Sequence, residues 1–117
     1  MSEYVEYVKD VLDHFGAIRV RRMFGGYGVY HNGLMFGLIV DDVLYLKADD
    51  ESVKLFKERG LARFEYVRKG KPIKMSYFMA PEDIFDDADD AKAWASLAYD
   101  AALRSNRRAR KPKKRGA

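Results

Sequence analysis

RMFGGYGVYHNGLMFGLIVDDVLYLK, Arg22 to Lys47, decides the fold of this chain. Asn32-Gly33 is a strong type I′ hairpin signal, because both positions tolerate positive φ. It separates a strand at Tyr27–His31 from an almost wholly apolar strand at Leu34–Val40, which reads as central and buried on both faces. Asp41-Asp42 makes a second tight turn into a strand at Val43–Lys47. Upstream, Ile18 and Val20 alternate with Arg19 and Arg21, so a strand runs from Ile18 to Phe24, and the pair Arg21-Arg22 breaks the alternation and predicts a bulge or a strand end.

Working outward, Tyr4, Val8, Val11, Leu12 and Phe15 recur at helical spacing behind Ser2, a capping residue, and Gly16 stops that helix. Asp49 or Asp50 caps a second helix through Arg59, closed by Gly60. Phe64 and Tyr66 alternate with charged residues, Lys69 to Pro72 turns the chain, and Ile73 to Met79 alternates again. Pro81 suits the start of a short helical turn, and Asp89 or Asp90 starts a last helix with Trp94, Leu97, Ala98 and Ala101 on one stripe. The order is α-β-β-β-β-α-β-β-α. Sequential hairpins give an antiparallel sheet, and helices must bury their stripes on it. The expected fold class is therefore α+β: two layers, with a sheet of about five to six strands and helices packed on one face.

At 117 residues and 48% hydrophobic, the chain suits one folded domain. The absence of cysteine removes disulfides, thiolate catalysis and cysteine-based zinc sites. The longest apolar run, Leu34 to Val40, is too short for a bilayer, and Glu3, Glu6 and Asp10 occupy the place of a signal peptide's basic and apolar regions. A cytoplasmic protein is expected. The net charge of +4 hides an asymmetry: residues 104–117 contain Arg104, Arg107, Arg108, Arg110, Lys111, Lys113, Lys114 and Arg115 and no acid, whereas residues 1–103 are net negative. Residues 1–103 are read as the folded domain and 104–117 as a disordered basic tail able to make weak, non-specific contact with nucleic acid.

The pieces Arg22-Met23-Phe24-Gly25-Gly26-Tyr27-Gly28-Val29-Tyr30, Gly33 to Phe36, Leu44-Tyr45-Leu46-Lys47, Met75-Ser76-Tyr77 and Trp94 together resemble the TfoX (Sxy) N-terminal domain family, over residues 3 to 103. The resemblance implies an α+β domain and a regulatory role. Longer members of that family are regulators of natural competence and carry a second, helical domain; in this sequence a basic segment follows instead. The resemblance supplies no catalytic or ligand residues.

Gly25, Gly26 and Gly28 invite a phosphate-loop reading, but Val29 and Tyr30 continue as strand and no Lys-Ser/Thr follows, so they read as a corner where side chains do not fit between strand and packed helix. Asp86, Asp87, Asp89 and Asp90 lack calcium-loop spacing and read as helix caps. His14, His31 and Ser76 lack catalytic companions in sequence. No metal, cofactor or small molecule is expected. Tyr27, Tyr30, Tyr45, Tyr66 and Tyr77, with Arg21, Lys47 and Lys74, are candidates for an open sheet face; its core set is Arg21, Tyr27, Tyr45, Lys47, Lys74 and Tyr77. A non-enzymatic interaction domain, binding a protein partner or a second copy of itself, is the first reading. The alternatives are a small-molecule or nucleotide-responsive enzyme or sensor at Arg21, Arg22 and Tyr27, and a chaperone-like adaptor that accepts an extended segment by strand addition.

Overall fold

Six strand segments and three helical ones resolve, in the computed structural model, into one antiparallel sheet backed by helices. The structure describes residues 2–23 and 25–110, and within that span the side chains of 73, 74 and 108–110 lie outside the description. The order is α1 (Glu3–Val11), β1 (Arg19–Met23), β2 (Gly26–His31), β3 (Leu34–Val40), β4 (Val43–Lys47), α2 (Val53–Glu58), β5 (Arg63–Arg68), β6 (Lys71–Met79), a 3-10 turn (Glu82–Phe85) and α3 (Ala88–Arg110). The six strands lie in the order β1-β2-β3-β4-β6-β5. This is the α+β architecture, element order and strand number expected. Among the described residues no helix is long and apolar enough to cross a membrane.

Three two-residue turns set the registers. Asn32-Gly33, Asp41-Asp42 and Lys69-Gly70 all sit at positive φ, the type I′ geometry whose twist matches the flanking strands. Gly25, also at positive φ, closes the β1–β2 turn. The two bulges lie elsewhere than expected. β1 pairs with β2 without interruption from Arg19↔Tyr30 to Met23↔Gly26, so Arg21-Arg22 makes no bulge. Instead β3 carries one at Phe36, between the pairs Tyr30↔Met35 and Val29↔Gly37. The bulge lets Phe36 and Gly37 both face the helices. Phe36 there meets Phe15 and Tyr99 at ring distances of 5.2 and 5.8 Å. The second bulge is in β6, where Met75, Ser76 and Tyr77 stand opposite the single residue Phe64.

The core lies between one sheet face and the helices. Val5, Val8 and Leu12 of the α1 region, Val29, Ile39, Leu44 and Leu46 of the sheet, and Phe56 of α2 are all fully or nearly fully buried. Ser2 caps α1 by accepting the Val5 N–H at 3.2 Å. The inner stripe of α3 is Ala91, Ala95, Ala98 and Ala102, all buried. Side chains this small let the helix axis approach β3 and β4 closely. Trp94 and Leu97, expected on that stripe, are half-buried at its flank, and Trp94 packs edge-on against Phe56 at 5.1 Å. Asp87, two residues ahead of Asp89, the nearer of the two expected starts, caps α3 by accepting the N–H groups of Asp89 and Asp90 at 2.8 and 3.1 Å.

The division at residue 104 does not coincide with the end of folded structure, because α3 runs on to Arg110. Arg104 is a clamp. Its Nε and Nη2 donate to Asp49 Oδ2 and Oδ1 at 2.6 and 2.9 Å, and Glu51 lies 3.3 Å from Nε. Asp49 is only 6% exposed and also accepts the N–H groups of Glu51 and Ser52. Ser52 Oγ in turn accepts the Asp49 N–H at 3.0 Å. This reciprocal turn delays α2 to Val53, later than Asp49 or Asp50 had suggested. Phe24, Lys111, Lys113, Lys114 and Arg115 lie outside the described residues.

Candidate interaction face

The helices cover one side of the sheet, and side-chain alternation assigns the other. Register pairs carry Arg21, Gly28 and Leu38 across β1, β2 and β3, and Leu38, Tyr45 and Met79 across β3, β4 and β6. Lys47↔Tyr77 extends the row. All of these residues alternate against the core positions Val29, Ile39, Leu44, Leu46 and Phe78, so they share the side that none of the described helices covers.

Two cation–aromatic pairs dominate this side. The Arg21 guanidinium lies 5.7 Å from the centre of the Tyr30 ring, and Lys47 Nζ lies 5.3 Å from that of Tyr77. Gly28 is buried on this side, closed over by the side chains of Met23, Tyr30 and Met35. A Cβ there would meet Met23 Sδ and Tyr30 Cε1 at 3.0 Å and Met35 Sδ at 3.1 Å. Tyr45 packs on Phe64 at 4.9 Å, and Phe64 stacks on Tyr66 at 6.3 Å. Burial, with the nearby Tyr30 adding to it, pushes the Tyr77 hydroxyl up to about 12, so Tyr77 stays neutral. Burial also lowers Lys47 below the ordinary lysine range, partly opposed by Asp49. A half-desolvated cation beside an aromatic ring has already lost part of its hydration, which favours contact with a carboxylate or a carbonyl-rich surface.

Of the six expected residues, the structure unites Arg21, Tyr45, Lys47 and Tyr77. It does not bring in Tyr27. That ring pairs across from Arg22 and Ile39 and packs against the core, on the helix side. Alternation within β2 carried the signal, since residues 27 and 30 differ by an odd number and face opposite ways in a regular strand. The Lys74 side chain lies outside the description. Met23, Met35 and Phe64 belong to the face and were not anticipated. For Met35 no local signal existed, because its orientation depends on the bulge at Phe36.

The glycine corner leads into a strand, as expected, not into a helix. What crowds it differs from the expectation. A Cβ on Gly26 would lie 2.3 Å from the Ile39 carbonyl oxygen, so the close neighbour is the backbone of β3 and not a helix. Arg22, Met23, Gly25, Gly26 and Tyr27 border a shallow hollow of about 430 Å³. His31 has a structural partner: its Nδ1–H donates to the Ala17 carbonyl at 2.6 Å, and its ring packs on Phe15 and Tyr99 at 4.8 and 5.0 Å.

The sequence matches the TfoX N-terminal domain family over residues 10–102. It is 33% identical over 82 residues to DNA transformation protein TfoX1 of Aliivibrio fischeri, covering 70% of this chain and 39% of that one. It is 24% identical over 96 residues to Protein Sxy of Escherichia coli, covering 82% and 46%. The chain thus spans less than half the length of either relative. The matched region runs from the end of α1 through most of α3 and includes both the helix-backed core and the uncovered face, and on that ground the chain belongs to the TfoX N-terminal domain family.

Proposed function

We propose that this chain is a non-enzymatic regulatory domain that holds a protein partner against the uncovered sheet face. The observation that carries this reading is the pairing of Arg21 with Tyr30 and of Lys47 with Tyr77, beside the Met23 and Met35 side chains that close over Gly28, on the side that the described helices leave uncovered. Tyrosine and arginine supply large contact area at low entropy cost, and methionine adapts to a partner's shape. Family membership, and a relative named as a DNA transformation protein, support placing the regulation in DNA uptake. Non-specific nucleic-acid contact through Arg107 and the cations that follow it is an accessory part of the proposal.

The test is co-precipitation of the tagged full chain from cells that express it, beside the variant R21E/Y45A/K47E. A partner recovered in stoichiometric amount with wild type and lost with the variant supports the reading, provided the two proteins melt within about 2 °C of each other. Equal recovery with both refutes it. Light scattering across a concentration series decides whether the partner is a second copy. Arg104 must stay in any truncated form, because it neutralises Asp49.

A further inference from the structure

β6 changes partners along its length. From Tyr77 to Met79 it pairs with β4, and from Lys71 to Lys74 it pairs only with β5. The bulge at Met75–Tyr77 marks the change, held by Arg63 Nε donating to the Met75 carbonyl at 3.0 Å and by the Ala48 N–H donating to the Ser76 carbonyl at 2.9 Å. Beyond it, Glu65–Arg68 and Lys71–Lys74 form a two-stranded ribbon that leaves the sheet. Every residue from 65 to 72 is exposed, and Val67 is 71% exposed.

The charge on this ribbon is one-sided. Residues 63–74 contain Arg63, Arg68, Lys69, Lys71 and Lys74 against the single acid Glu65. Arg68 and Lys71 are direct cross-strand partners, and Lys69 sits in the turn between them. Like charges directly opposed across a hairpin destabilise it. None of the ion pairs among the described residues involves Arg68, Lys69 or Lys71. Three cations at the tip of a projecting hairpin, at a cost to the hairpin itself, call for an anionic partner.

The dimensions narrow the choice of partner. Four residue pairs at about 3.3 Å each project about 13 Å. The major groove of B-DNA is about 12 Å wide and 8.5 Å deep and admits a two-stranded ribbon, whereas the major groove of an RNA duplex is too narrow. We propose that the β5–β6 ribbon is an arm that enters the major groove of duplex DNA, with Arg68, Lys69 and Lys71 on the flanking phosphates. An acidic protein surface is the competing partner, but a narrow arm offers it far less than the roughly 800 Å² per side of a stable interface. Arg68, Lys69 and Lys71 are other residues than the cations of 107–115 and than Arg21, Tyr45 and Lys47 of the sheet face, so each set can be tested alone.

The experiment is fluorescence anisotropy of a labelled 20-base-pair DNA duplex with the full chain, between about 50 and 200 mM salt. The ribbon variant is R68Q/K69N/K71Q, in which asparagine suits the positive φ of the turn. A second variant, K111Q/K113Q/K114Q/R115Q, tests the C-terminal cations. Each phosphate contact contributes about −0.9 to the slope of log affinity against log salt, so neutralising three should make the slope shallower by about 2.7 and weaken binding at the low-salt end at least tenfold. The C-terminal variant should keep that ribbon-dependent part, and an RNA duplex should bind more weakly than DNA. Thermal melting confirms that both variants fold. Wild-type affinity and slope in the ribbon variant overturn the proposal, as does absence of duplex binding by wild type. Preference for polyglutamate over DNA, or dependence on the C-terminal cations alone, overturns it equally. None of these results bears on R21E/Y45A/K47E, which tests the protein-partner reading.

Discussion

Replacing Arg104 with alanine should destabilise the domain by about 2 kcal/mol at neutral pH, and that cost should vanish in acid. The Arg104 hydrogen bonds, with smaller help from the Ser52 N–H and against the effect of burial, hold the Asp49 carboxyl at about 2 instead of the ordinary 3.8. A difference of this size corresponds to about 2.4 kcal/mol at about 1.36 kcal/mol per pH unit. Arg104 is 22% exposed and Ser52 supplies part of the effect, which lowers the share that belongs to the guanidinium. Against that, the variant leaves a carboxylate only 6% exposed without its cation, and stranding a buried charge is itself destabilising. The two corrections oppose each other, and about 2 kcal/mol stands. The sign follows from linkage: a depressed carboxyl pKa contributes stability fully present above about 3.8 and lost as pH falls through about 2. Urea titrations followed by circular dichroism at pH 7, 4 and 2.5 should show the wild-type advantage shrink across that range, with a melting-temperature gap of roughly 8 °C at pH 7. Equal stabilities at pH 7, or a gap that persists unchanged at pH 2.5, would refute the assignment of Arg104 as a clamp.

Two further outcomes test the sheet. Gly26→Ala should cost at least about 2 kcal/mol, because the added methyl meets a backbone oxygen at 2.3 Å and β2 and β3 must separate to admit it; a denaturation midpoint within error of wild type would contradict this. Asp41→Asn with Asp42→Gly should raise stability by about 1 kcal/mol, since both aspartates occupy positive φ in a turn that favours Asn-Gly; an unchanged or lowered melting temperature would show that the aspartates are held by something other than turn geometry.

The parts of the fold legible in the sequence are those whose causes are local. Asn32-Gly33 and Asp41-Asp42 announce their turns because positive φ is a property of the residues themselves. Ser2 announces α1 because its hydroxyl needs only the N–H three residues on. What escaped depends on partners far along the chain. Asp49 and Arg104 are 55 residues apart, so nothing local to either residue marks the pair, and Arg104 stands in sequence at the head of a basic run. The bulge at Phe36 accompanies packing against Tyr99 and that at Met75–Tyr77 falls where β6 loses β4 and keeps β5, and neither leaves a mark in composition. The candidate face was half legible for the same reason. Arg21, Tyr45, Lys47 and Tyr77 follow from simple alternation, whereas Met35 does not.

The extra residue at Phe36 also governs how this strand compares with its relatives. It divides β3 into two halves of opposite parity: before it odd positions look outward, and after it even ones do. A homologue that lacked Phe36 would keep every other side chain of β3 on the side it already faces and would lose only one large group from the interior. Alignments that slide a gap freely through 34–37 would therefore pair residues that never occupy equivalent places, and the correct gap position can be recognised by which choice keeps large apolar groups inside.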